Sequence, residues 1–232
     1  MLTDATYFAA PDLAPARHLQ RAGQWDAALA LVPDTPEGRL LRADILVDQH
    51  CWRLDPVQDA LTAVDSVRPE HPEAAAFLIG QLEYWRRLQR PAAPEIAGDP
   101  VDTFKALAAD TRFGGWTGFW YGVALELLNR DPTGAAAAYT RALDEALFCG
   151  DLLLESYAVR HLGGQAYEAG ETERAIELME RSYDLRAARG ARPHIAAAQA
   201  ALADVLGDSP RVARLRSAVS ATAEELGLTW LK

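Results

Sequence analysis

Residues 151–189, DLLLESYAVRHLGGQAYEAGETERAIELMERSYDLRAAR, read as two amphipathic helices joined by a tight turn. In the first, Leu154, Tyr157, Ala158, His161, Leu162 and Gln165 recur at three- and four-residue spacing, which aligns them along one flank of a helix. In the second, Ala175, Ile176, Leu178, Met179, Ser182, Tyr183 and Leu185 form a stripe, while Glu171, Glu173, Arg174, Glu177, Glu180 and Arg181 face water. Gly170 falls where the chain needs a left-handed residue to leave the first helix. Glu171 and Glu173 place negative charge at the positive end of the second. Gly163 and Ala175 are small enough to let the two backbones approach closely.

The pair Leu162-Gly163, followed by Gly170, Ala175, Met179 and Ser182, resembles the tetratricopeptide repeat (TPR) pattern. The tyrosine usual in the first helix of that pattern falls one place late, at Tyr167, with Ala166 in its position. The pattern recurs along the chain. Gly122 precedes Ala135, Tyr139 and Ala142, Gly80 opens an earlier unit, and Leu202-Ala203 a later one. The small residues at 80, 122, 163 and 203 are separated by steps of 42, 41 and 40 residues. An ordinary TPR has about 34 residues, so each helix is expected to be about a turn longer, or the turns looser. The spacing of Gly23, Ala28 and Val32, and that of Ala60, Val64, Val67 and Pro72, extends the resemblance toward the start. It is weakest over residues 91–101. The resemblance implies an all-α, right-handed TPR-like solenoid of about five to six antiparallel hairpins, and the chain is similar to long-repeat actinobacterial TPR proteins.

Taken in order, residues 1–11 read as an irregular lead-in. Helices are expected over 12–22, 24–32, 36–51, 56–67, 73–90, 101–110, 114–129, 133–148, 151–169, 171–189, 193–207 and 209–226. Prolines and glycines punctuate them. RPAAPEIAGDP, residues 90–100, has linker composition but is too short to separate a pair of domains, so the whole of 1–232 reads as one domain. The 209–232 segment, carrying Arg211, Arg214 and Arg216, suits a terminal cap with a polar outer face.

Composition narrows the function. A net charge of −10 argues against a nucleic-acid surface. No run approaches 18 apolar residues, and MLTDATYFAAPDLAP lacks a secretory pattern, so the expected setting is cytoplasmic, away from membranes. Cys51 and Cys149 make no disulfide framework, and their pairing stays open. There is no Gly-rich phosphate loop, no G-x-S-x-G, no H-E-x-x-H and no C-x-x-C. Asp48, His50 and Cys51 make a poor metal set, because adjacent helical residues point about 100° apart. No catalytic residue, metal or cofactor is therefore assigned.

Function is read instead from the face that first helices present in TPR arrays. Counted from the small residue of each unit, that face carries Phe77, Gln81, Tyr84 and Trp85 in one repeat. The next carries Trp116, Phe119, Val123 and Glu126. The third carries Tyr157, Arg160, Gly164 and Tyr167, with His161 on the packing flank beside them. The last unit is bland, with Ala197, Ala200, Asp204, Gly207 and Asp208. Aromatic residues at helical spacing are commonly core. However, Phe113, Trp116, Phe119, Trp120 and Tyr121 fall within nine residues, too many for one stripe to bury.

Arg160 is read either as a solvated residue or as a groove cation with a planar fork for a carboxylate or phosphate. His161 is either a satisfied core histidine or a proton donor or acceptor beside a ligand, with Glu126 behind it. The first functional expectation is a non-catalytic groove that binds a peptide segment or partner protein. The alternative is a small-molecule site, for binding or catalysis, built around Arg160, His161 and Glu126, with an acidic or amphiphilic ligand. A third reading is a sensor module acting through a DNA-binding partner. A deep pocket holding Arg160 and His161 would favour the small molecule, and an open trough the peptide.

Overall fold

A computed structural model describes residues 11–108, 113 and 115–231. Twelve α-helices account for most of these, and no strand occurs among the described residues. They are α1 (Ala14–Arg21), α2 (Trp25–Ala30), α3 (Pro36–Arg53), α4 (Gln58–Val67), α5 (Pro72–Gln89), α6 (Pro100–Leu107), α7 (Trp116–Leu127), α8 (Pro132–Cys149), α9 (Leu152–Glu168), α10 (Thr172–Ala188), α11 (Arg192–Val205) and α12 (Pro210–Leu226). Each matches an expected helix to within a few residues. The lead-in read over residues 1–11 and the helix ends expected at 110 and 114 fall mostly outside the described residues.

Local chemistry sets the boundaries. Seven helices carry proline at their first or second position, where a missing N–H costs nothing: α1, α3, α5, α6, α8, α11 and α12. Thr35, Asp99, Asp131, Asp151 and Ser209 each accept a backbone N–H of the helix that follows, satisfying donors that the helix itself leaves open. Gly170 adopts the left-handed conformation expected of it, with φ +81°.

Helices adjacent in sequence pack on one another throughout, and α9 with α10 shows how. Gly163 lies against Leu178 and Ala175, so that a Cβ added to it would sit 3.1 Å from Leu178 Cβ and 3.4 Å from Ala175 O. Further along, Ser182 Oγ donates to Ser156 O at 2.8 Å. The pairing of 163 with 175 and of 156 with 182 makes the two helices antiparallel. In α7 and α8 the same arrangement recurs, with Gly122 seated on the Tyr139 ring and Gly115 near Ala142. Gly122 and Gly163, identified by their spacing, therefore sit at close contacts between paired helices.

The stretch with linker composition is a loop tied back to α5. Glu83, fully buried, accepts from Arg86 and Arg87 and from the backbone N–H of Ile96. Burial alone would raise its carboxyl, but these bonds outweigh burial and hold it down at about 2. Arg87 also pairs with Asp99 at 3.1 Å, anchoring the start of α6.

The end of the helical array meets its beginning. Beyond Gly227 a short 3₁₀ turn, Thr229–Leu231, returns to α3. Arg53 Nε donates to Leu226 O at 3.1 Å, Thr229 Oγ1 to Arg53 O at 2.5 Å, and Trp230 Nε1 to Cys51 O at 3.1 Å. Gly23, between α1 and α2, sits under Leu226 and Pro193 so closely that a Cβ there would lie 2.8 Å from Leu226 Cδ1. One continuous apolar core runs from Leu13 to Leu228. A polar cap was expected of residues 209–232. The outer face of α12 is polar, with Arg211, Arg214 and Arg216 directed away from the core, but the segment after it also closes onto the start of the array. No helix among the described residues is long and apolar enough to cross a membrane.

Candidate functional site

The closure leaves a partly open chamber of about 210 Å³. Its walls come from α3, α5, α7, α9 and α11, alternate helices in chain order, with Arg186 of α10 at the back and Trp230 across one side. Two open cavities flank it, and one of them, about 780 Å³, shares Leu127, Arg160, His161, Ala197 and Trp230 with the chamber. These five residues form the neck between an outer vestibule and the inner chamber.

Most of the sequence-derived face converges here. Gln81, Tyr84 and Trp85 on α5, Trp116, Phe119 and Val123 on α7, and Tyr157, Arg160 and His161 on α9 all line the chamber. Trp116 and Tyr157 lie side by side as their matched register requires, with ring centroids 5.3 Å apart. Glu126, Gly164 and Tyr167 line the vestibule instead. Phe77 departs from the expectation. It is fully buried, stacked on Phe113 at 5.4 Å and edge-on to Phe104 at 5.9 Å. The cause lies at Gly80, which opens toward the Phe104 ring of α6. The residue one turn before it follows into that interface, away from the groove.

Several lining residues carried no usable signal in the repeat frame. Trp120, one of the crowded aromatic cluster, turns inward. Asp48, Cys51 and Trp52 reach the chamber from α3 at three- and four-residue spacing. Arg186 comes from a second helix, His194 from the first turn of α11, and Trp230 from beyond the last helix. Asp48, His50 and Cys51 do not converge. Asp48 accepts from Trp25 Nε1 at 2.8 Å and Trp52 Nε1 at 3.2 Å, whereas His50 Nδ1 is 2.6 Å from Asp55 O. Among the described residues no group of three or more histidines, cysteines and carboxylates is arranged to hold a metal ion. Cys51 is buried, Cys149 is exposed, and both are free.

The polar groups fall into two sets. Glu126, at the vestibule side of the neck, is saturated. Tyr139 Oη donates to its Oε2 at 2.8 Å, Gln165 Nε2 to its Oε1 at 2.8 Å, and His161 Nδ1 lies 3.0 Å from Oε2. Burial opposes its charge, but these bonds prevail and lower its carboxyl below the ordinary value. Burial lowers His161, keeping the ring neutral at physiological pH. A carboxylate can only accept, so neutral His161 donates through Nδ1 and presents Nε2 as an acceptor.

The second set is short of acceptors. Arg160, half-buried at the neck, has no hydrogen bond or ion pair among the described residues, and its Nε is shut off from solvent. Arg186 is 1% exposed. It donates to Ser156 Oγ at 3.2 Å and His194 O at 2.8 Å and lies 4.8 Å over the Tyr157 ring, with no carboxylate paired to it among the described residues. Burial, together with the nearby Arg160 charge, pulls Arg186 down to about 9, which leaves it a cation at neutral pH. The indole N–H groups of Trp85 and Trp120 and both ring nitrogens of His194 are buried without partners. His194 is driven well below its ordinary value, by burial first and by Arg186 second, and is neutral.

No family model matches the chain, and no curated protein matches it. The functional reading therefore stands on this geometry.

Proposed function

We propose that this protein is a small-molecule-binding protein, with the chamber as its site and the vestibule as the way in. The observation that carries the reading is that Arg160 and His161 stand at the neck of a partly open chamber walled by aromatic side chains, most of them buried. Binding sites for small molecules are concave, mostly apolar and furnished with a few placed polar groups. An extended peptide needs a continuous open trough, and Trp230 with the 3₁₀ turn stands across one side of this one. The hairpins, the small residues at their contacts and the alternate helices on the inner face support a TPR-like superhelix as the scaffold.

Native mass spectrometry of the purified chain tests the reading. A compound of a few hundred daltons is expected to remain bound under gentle conditions and to leave on denaturation. Val123→Trp, which fills the chamber, is expected to release it while leaving the helical content unchanged. Retention of the compound by the filled variant would place binding elsewhere.

A further inference from the structure

We propose that the chamber selects a carboxylic acid with a flat, apolar body, the carboxylate lying against Arg160 and Arg186. This rests on the ligand-binding reading above and assigns the ligand its chemical class. The two guanidiniums line the same chamber, and the Arg160 charge acts on Arg186. Arg186 covers the ring of Tyr157, and Arg160 is three residues further along α9 from that tyrosine, on the same side of the helix. Neither is matched by a carboxylate among the described residues. Elsewhere in the molecule the buried Arg17 pairs with Asp44 at 2.8 Å, and the two arginines of α5 pair with Glu83. Asp48, in the chamber wall, receives two indole N–H groups, and Glu126, in the vestibule, receives three donors. A buried guanidinium facing only neutral acceptors is costly, and an arriving anion relieves that cost.

Charge balance indicates how large the anion's charge is. The chamber lining carries Arg160, Arg186 and Asp48, with His161 and His194 neutral. Among the described lining residues, with Asp48 ionised, the sum is one positive charge, which a carboxylate cancels and a phosphate dianion overshoots. The walls determine the body. Trp52, Trp85, Trp120 and Trp230 present flat rings, and aromatic faces favour an unsaturated partner. The unpartnered N–H groups of Trp85 and Trp120 can serve one further acceptor on that body. An apolar cavity of about 150 Å³ accommodates benzene, so about 210 Å³ suits one ring with a short acid arm.

The test is calorimetric titration of the full chain at neutral pH with three matched probes: 3-phenylpropanoate, 3-phenylpropanamide and 2-phenylethyl phosphate. The acid is expected to bind at least about tenfold tighter than the amide, and the phosphate no tighter than the acid. Arg160→Gln is expected to abolish the advantage of the acid and leave the amide unchanged. Arg160 makes no bond that the fold depends on, so this variant carries the test. Arg186→Gln, whose wild-type side chain bonds Ser156 and His194, serves as a second variant once circular dichroism shows that it is folded. Equal binding of acid and amide would overturn the acid assignment while leaving the chamber a ligand site. Tighter binding of the phosphate would overturn the monoanion. No binding by any probe would overturn the proposal, and an empty chamber by native mass as well would remove the ligand reading with it.

Discussion

Asp48 shows at residue scale how burial and hydrogen bonding compete. Its two oxygens accept indole N–H groups from Trp25 and Trp52, but burial dominates and raises its carboxyl from 3.8 to about 6. The folded protein therefore holds a proton on Asp48 that the unfolded chain has already lost between about pH 4 and pH 6. Stability falls as pH rises through that window, by up to about 3 kcal/mol, because a shift of one pKa unit corresponds to about 1.4 kcal/mol. Asp48→Asn has no such proton to lose. Urea melts of wild type and variant across pH 4 to 7 are expected to diverge, with wild type losing about 2–3 kcal/mol relative to the variant. Parallel curves would show that Asp48 titrates normally.

The hairpin contacts belong to the scale of elements. Gly163 and Gly164 are consecutive on α9 but meet different surroundings. A Cβ at 163 would press on Leu178 and on the backbone of Ala175, whereas a Cβ at 164 meets nothing within 4 Å. Gly164→Ala is expected to stabilise the protein by about 0.5–1 kcal/mol, since alanine is the better helix former. Ala175 is fully buried at the same contact, and Ala175→Leu is expected to destabilise by about 1–3 kcal/mol through overpacking. Thermal melts read both. If Ala175→Leu melted with wild type, the close approach of α9 and α10 at this point would be wrong.

The molecule as a whole is set by a contact between distant segments of the chain. Trp230 stacks on Trp52 at 5.2 Å and against Trp85 at 5.6 Å, and bonds Cys51 O. Half-buried, it closes one side of the chamber. Trp230→Ala is expected to cost about 2–3 kcal/mol, less than the 3–5 typical of a fully buried aromatic residue, and to weaken any ligand held in the chamber. Chemical denaturation measures the first effect and the probe titrations the second. Unchanged stability would mean that the returning segment rests on α3 without holding it.

What could be read without coordinates follows one physical rule. Helices are local: their stripes at three- and four-residue spacing, their proline and glycine boundaries and their capping residues lie within a few positions of one another. For that reason all twelve were legible, and so was the register that brings Trp116 beside Tyr157. The repeat frame extended this to Tyr84, Trp85 and Arg160, which line the chamber together, while His161, read on the packing flank, also reaches it. It failed at Phe77, where the next helix claims the ring, and it gave no place to Asp48, Arg186, His194 or Trp230. Those four reach the chamber from α3, from a second helix, from a helix start and from a turn beyond the last helix. Nothing in the local pattern records that residue 230 bonds residue 51. Closure is a long-range event, made by contacts between residues more than 170 positions apart in the chain. Only the tertiary structure shows that they bring the end of the array back to its beginning and turn a groove into a chamber.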